Sequence, residues 1–252
     1  MTLRPLAILL ALLIPAIPAW AQTLDVLSAG ALKDVVQTLV PAFESRMGIK
    51  VRLQGGTAGA LVKRVEAGEA FDVVIATRDG IERLAAAGLV DPAARTALAD
   101  VGIGVGVKQG APLPPLATVE QFKAAVLGAR KIALIDPAAG GSSGIYLERL
   151  FREFGMAEAV RDKAVLVPGG LAGERVASGE ADLVLQQVSE ILVVKGVVLA
   201  GMLPDAIQNL TTYAAGVSAR SNSAEAAKAF VAALASADAA ELMRAKRMLP
   251  AR

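Results

Sequence analysis

The chain contains no cysteine and no histidine among its 252 residues. Without cysteine there is no disulfide framework, even in an oxidising compartment that would permit one. Without histidine there is no Ser-His-Asp catalysis, no ordinary zinc or non-haem iron site, and no simple general base near neutral pH. Aromatic residues are scarce at 4%, and the single tryptophan is Trp20. A surplus of either charge is also missing, with 26 basic against 24 acidic side chains. This balance gives no electrostatic ground for a nucleic-acid partner. No internal repeat or low-complexity tract interrupts the sequence.

The first residues read as a secretory leader. Arg4 gives a basic start, Leu6 to Ile17 an apolar core, and Ala19-Trp20-Ala21 a small-x-small site. An apolar core of that length is short for a bilayer span, and the small-residue site favours cleavage. We expect residues 1–21 to be a signal peptide cleaved after Ala21, and export to the periplasm. With 54% apolar residues the remainder can bury a large core, as one unit or two.

Short apolar runs alternate with helical patterns. Strands are expected over Leu24 to Leu27, Ile49 to Leu53, Asp72 to Ala76, Val101 to Val107, Lys131 to Ile135, Ala164 to Val167, Asp182 to Gln186 and Thr211 to Val217. Several are apolar almost throughout, as when helices cover both faces of a parallel sheet. Helical spacing joins Leu32, Val35, Val36, Leu39, Val40 and Phe43, with Pro41 predicting a kink. The same spacing recurs at Leu61, Val62 and Val65 and at Ile81, Leu84 and Ala85. Further helices are expected over Ile145 to Phe154, Ser223 to Leu234 and Ala239 to Met248, with a Pro/Gly-rich loop over Lys108 to Leu116. The fold class is α/β.

Candidate binding residues sit where strands end. Ala29, Gly30 and Ala31 follow the first strand, and Thr57, Ala58 and Gly59 follow the second. Each loop is either a tight strand-to-helix turn or a backbone N–H cradle for an anion, and two such loops favour binding. Asp136 to Gly144 is longer than capping requires. Ser142 and Ser143 are either N-caps or, with Gly144, oxyanion donors. The loop lacks the lysine and spacing of a phosphate-binding P-loop, and Gly102, Gly104 and Gly106 do not form a dinucleotide fingerprint. Gln186, Gln187 and Ser189 end an apolar strand and are either an exposed strand end or ligand donors, since such groups are costly to bury unpaired. Arg78 is either a bidentate carboxylate ligand or a solvated surface residue.

The stretches SAGALKDVV, GGTAGALVKRVEAGEAFDVVIA, LAAAGLV, KIALIDPAA and SGEADLVLQQVSE, in this order, resemble the molybdate-binding-protein-like branch of the type II periplasmic solute-binding proteins. The resemblance spans the whole mature chain. It implies two lobes, each with a central sheet, joined by two crossing strands: residues 22–103 and 213–252 in one, and 104–212 in the other. It further implies a small anion clamped in the inter-lobe cleft, with Gly169 and Gly170 beside the residues above, delivery to an ABC importer permease, and a monomer without metal or cofactor. Where molybdate binders of the family carry serines this chain has Ala31 and Ala58, and the family's tyrosine aligns with Gln187. A small organic di- or tricarboxylate is therefore expected over molybdate. QQVSE and GMLPDAIQNLTTYAAGVS also resemble a subgroup that includes periplasmic aconitate isomerase. The alternative is then proton transfer between cis- and trans-aconitate by a carboxylate or lysine; Asp136 and Glu190 are each either the base or a cap or surface charge.

Overall fold

The structure is a computed structural model describing residues 23–251. The expected leader and its cleavage site lie outside the described residues. Three strand-helix units open the chain: β1 (Thr23–Ala29) and α1 (Gly30–Met47), β2 (Lys50–Gly56) and α2 (Ala58–Glu66), β3 (Val73–Thr77) and α3 (Arg78–Ala86). The apolar stripe of each helix packs inward, with Leu32, Val35, Val36 and Phe43 of α1 and Leu61, Val62 and Val65 of α2 all buried. Pro41 lies on the exposed side of α1, and the helix runs past it to Met47. It stops at Gly48, whose φ of 66° lets its N–H reach the Glu44 carbonyl at 2.9 Å.

The expected single strand from Val101 to Val107 is two strands, β4 (Val90–Val101) and β5 (Ile103–Lys108), parted at Gly102. β4 reads poorly as a strand because DPAARTALAD is rich in alanine and carries a proline. Pairing with a neighbouring strand overrides that local preference. After a loop come α4 (Val119–Gly128), with a complete Thr118/Gln121 capping box, and β6 (Ile132–Ile135). A 3₁₀ turn over Pro137–Ala139 leads into α5 (Ser142–Glu153), α6 (Ala157–Arg161) and β7 (Ala164–Val167). Then follow α7 (Glu174–Ala177), β8 (Leu183–Gln187), α8 (Val188–Ile191), β9 (Val197–Met202) and β10 (Thr211–Ser218). The chain closes with α9 (Ala224–Leu234), α10 (Ala237–Ala245) and β11 (Leu249–Pro250).

These strands form two sheets, each the centre of a lobe. One has the order β11-β4-β10-β3-β1-β2 and the other β7-β6-β8-β5-β9. In the first, β1 runs parallel to β2 and β3, while β10 runs antiparallel to β3 and β4. In the second, β6 runs parallel to β7 and β8, while β5 runs antiparallel to β8 and β9. The chain crosses between sheets at Gly102 and again between β9 and β10. Gln208 fastens the crossings together: its amide accepts from the Ile103 N–H at 2.9 Å and donates to the Ile103 carbonyl at 3.0 Å. Short α8 belongs by sequence to the second sheet, yet Val188 is buried in the core of the first.

Phe43 of α1 and Phe230 of α9 meet edge to face at 4.9 Å in the first core. Phe230→Ala should cost about 3–5 kcal/mol through lost burial and the residual cavity. Urea unfolding monitored by circular dichroism measures this, and an exposed substitution such as Ala93→Ser serves as the near-neutral reference.

Candidate functional site

Parallel strands leave their carboxyl ends on one edge of each sheet, and the segments following β1, β2, β6 and β8 converge on one cavity between the sheets. In this closed form it leaves about 20 Å³ free, room for about one water molecule. Its walls are Ala29, Gly30 and Ala31 at the start of α1; Gly56, Thr57 and Ala58 at the start of α2; Gly141, Ser142 and Ser143 at the start of α5; and Ile135, Gly170, Glu190 and Tyr213. No lysine or arginine is among these lining residues.

The positive ends of three helices replace side-chain cations. The first N–H groups of any helix lack intrahelical acceptors. Thr57 caps α2 by accepting from the Ala60 N–H at 3.2 Å, but no side chain caps α1 or α5. The N–H groups at these two helix starts can therefore serve an oxyanion, helped by the helix dipoles.

Hydroxyl groups complete the cradle. Ser142 Oγ and Tyr213 Oη are 2.7 Å apart. Gln187 is best satisfied with its amide nitrogen donating to the carbonyls of Val101 and Gly102, at 3.1 Å each. Its oxygen then accepts from the hydroxyls of Ser142 at 3.0 Å and Thr211 at 3.2 Å. With Ser142 donating to Gln187, Tyr213 donates to Ser142, giving an ordered chain from the first sheet to the second. Burial, and then the nearby Glu190 carboxylate, hold the Tyr213 phenol above its usual range, although Ser142 and Gln187 pull the other way. Tyr213 remains a neutral donor.

Glu190 is the one acidic side chain in the lining. It is only 9% exposed, and its Oε1 lies so close to Gly30 that a Cβ there would stand 2.2 Å away. A side chain at that helix start would have to push the Glu190 carboxylate aside. Burial pushes the carboxyl up to about 8, opposed by a hydrogen bond with Gln186. The N-terminal end of α1 also favours the ionised form.

The remaining expected residues separate by role. Gln186 holds the loop beside the cavity, accepting from the Ala172 N–H and donating to the Gly170 carbonyl, each at 2.9 Å. Ser189 donates to the Ala31 carbonyl at 2.8 Å. Gly144 lies against the Ile135 carbonyl, where a Cβ would stand 2.0 Å away, and Gly169 lies outside the lining. Arg78 is exposed on an adjoining open groove that shares Ala58 and Ser142 with the cavity. Asp136 caps the 3₁₀ turn by accepting from the Ala138 N–H at 2.9 Å and does not line the cavity. Tyr213 escaped the sequence reading. Its signal was a lone phenol in the small-residue strand TTYAAGVS, in a chain with only two tyrosines.

The lobes are closed on each other. Gly59 N–H donates to the Gly140 carbonyl at 3.0 Å, and the Thr57 hydroxyl donates to the Ala139 carbonyl. A Cβ on Gly59 would stand 2.9 Å from Gly140 backbone atoms, and one on Gly140 would stand 2.8 Å from Gly59 Cα.

A family model described as bacterial extracellular solute-binding protein matches residues 24–246. An aconitate isomerase from a Pseudomonas species is 34% identical over 234 residues, covering 90% of this chain and 88% of that protein. The periplasmic molybdate-binding protein of Azotobacter vinelandii superposes with a TM-score of 0.74 at 18% identity, covering 91% of this chain and 100% of that one. The sulfate-binding protein of Mycobacterium tuberculosis H37Rv gives 0.72 at 17% identity, covering 91% and 87%. At these identities the two structures establish the shared two-lobed fold.

Two outcomes follow from this geometry. Gly59→Ala should leave the fold intact but prevent full closure, weakening ligand affinity about tenfold or more through lost inter-lobe hydrogen bonds; small-angle scattering with ligand titration checks both halves. The Glu190 pKa is raised from 4.5 in the unfolded chain to about 8 in the fold. Between those values the folded state keeps a proton the unfolded state has lost, so this contribution to stability falls as pH rises from about 4.5 through about 8. Glu190→Gln should flatten that part of the pH–stability curve, measured as the wild-type minus variant difference in urea unfolding.

Proposed function

Because the chain belongs to the bacterial extracellular solute-binding protein family, we propose that it is a periplasmic receptor binding a small di- or tricarboxylate between its lobes. The observation carrying this reading is a cation-free cavity rimmed by the uncapped starts of α1 and α5. Such an environment suits a delocalised carboxylate, which can accept from several N–H groups at once. Ala31 and Ala58 bring no hydroxyl to the lining, which leaves fewer donors for a tetrahedral oxyanion. In its closed form the cavity leaves about 20 Å³, well below the roughly 300–1,000 Å³ common for small-molecule sites, so a carboxylate enters with the lobes parted further. A bound anion would be handed, from a monomeric receptor, to an ABC importer permease.

A second reading is isomerisation of an unsaturated tricarboxylate on the same scaffold. It draws support from the 34% identity with an aconitate isomerase along most of both chains and from a buried carboxyl, Glu190, in the cavity wall. Binding and turnover need the same cradle.

A matched anion panel tests the common premise. A ligand at 100 times its dissociation constant adds about 2.7 kcal/mol of stability. Citrate, cis-aconitate, trans-aconitate or a related dicarboxylate should give the largest rise in melting temperature. Molybdate or tungstate giving the largest rise would overturn carboxylate preference.

A further inference from the structure

Resting on the isomerase reading, we propose that Glu190 is the catalytic residue that carries the migrating proton between the two ends of the substrate's allylic system. Only one of the two carboxylates singled out by sequence has access to the cavity. Asp136 is committed to the 3₁₀ turn through the Ala138 N–H, whereas Glu190 lines the cavity. Its Oε1 lies against Gly30 at the start of the 18-residue helix α1.

That placement joins a base to an anion hole. With the lobes parted enough to admit it, a substrate carboxylate accepting from the N–H groups at the start of α1 brings its neighbouring carbon beside Glu190. Loss of a proton from that carbon moves negative charge onto the bound carboxylate, where N–H groups at the starts of α1 and α5 can stabilise it. The ionised Glu190 takes a proton from the methylene carbon. The freed C–H electron pair forms the new double bond to the central carbon, and the electrons of the old double bond move to the far carbon. Glu190 returns the proton there. One C–H bond is broken and one is made, nothing is oxidised or reduced, and rotation in the delocalised intermediate permits exchange of cis and trans geometry.

The electrostatic setting suits a group that must both take and release a proton. Burial holds the carboxyl near 8, and the ideal catalytic pKa lies near the working pH. The phenol of Tyr213, held up by burial and then by the Glu190 charge, stays neutral across that range. Gln186, on the strand preceding α8, contacts the carboxyl without supplying charge.

The test follows cis-aconitate in D₂O by proton NMR with wild type, Glu190→Gln, Glu190→Asp and Asp136→Asn, alongside calorimetric titration of each. We expect wild type to produce trans-aconitate with rates rising towards pH 8. Glu190→Gln should keep tricarboxylate affinity but lose about 10²–10⁴-fold in turnover. Glu190→Asp should recover part of the rate, and Asp136→Asn should turn over like wild type. Near-wild-type turnover by Glu190→Gln overturns the assignment while leaving the isomerase reading intact. If Glu190→Gln loses affinity together with turnover, Glu190 is a binding group and the assignment also falls. Wild-type protein that binds aconitate without turnover or deuterium uptake overturns the isomerase reading itself and, with it, this role for Glu190.

Discussion

Two glutamine amides hold the connection between the lobes. Gln208 offers Ile103 the donor and acceptor that a paired strand would supply, at 3.0 and 2.9 Å. Gln187 spans the carbonyls of Val101 and Gly102 on one side and the hydroxyls of Ser142 and Thr211 on the other. Gln187 is only 1% exposed, so losing any of these partners would leave a buried polar group unmatched, typically at about 1–3 kcal/mol. Both crossings and the start of α5 are thereby held in register. The cavity walls depend on that register, because Ser142 links onward to Tyr213 of the opposite sheet.

Within this frame, electrostatics come from backbone and burial rather than from opposed charges. Ion pairs such as Arg52–Asp25 and Arg130–Asp182 lie away from the cavity lining, and exposed pairs of this kind contribute little. Helix starts provide diffuse positive potential without the hydration of a lysine or arginine. Glu190 experiences the same dry interior as a penalty on its charge, which is why its proton is held so firmly.

Much of the fold was legible because parallel strands covered on both faces are apolar throughout, and glycine-containing loops mark their carboxyl ends. This located the starts of α1 and α2, whereas α5 begins at Ser142, ahead of the expected Ile145, because Gly141 rather than a serine takes the N-cap position. β4 is hidden by its alanines and proline, and β9 (VVLAGM) is a short apolar run without alternation. The two glutamines were only partly legible. Adjacent strand residues face opposite ways, so Gln186 and Gln187 could not share one environment, and in fact one serves the Gly170–Ala172 loop and the other the crossings. Glu190 could not be separated from a surface charge by residue type, since its exposure is set by α8 docking into the other lobe's core. Asp136 and Glu190 look alike in sequence; burial alone divides them.

The meeting of Gly59 with Gly140 makes the closed cavity a gauge as well as a container. Two backbones already in contact cannot approach further, so the closed volume is set by the protein and not by whatever occupies it. With about 20 Å³ left at that stop, a guest larger than a water molecule parts the two glycines by an amount its size sets. Size selection can thus be retuned at a position that supplies no side-chain atom to the ligand, leaving the donor set untouched as the preferred guest changes.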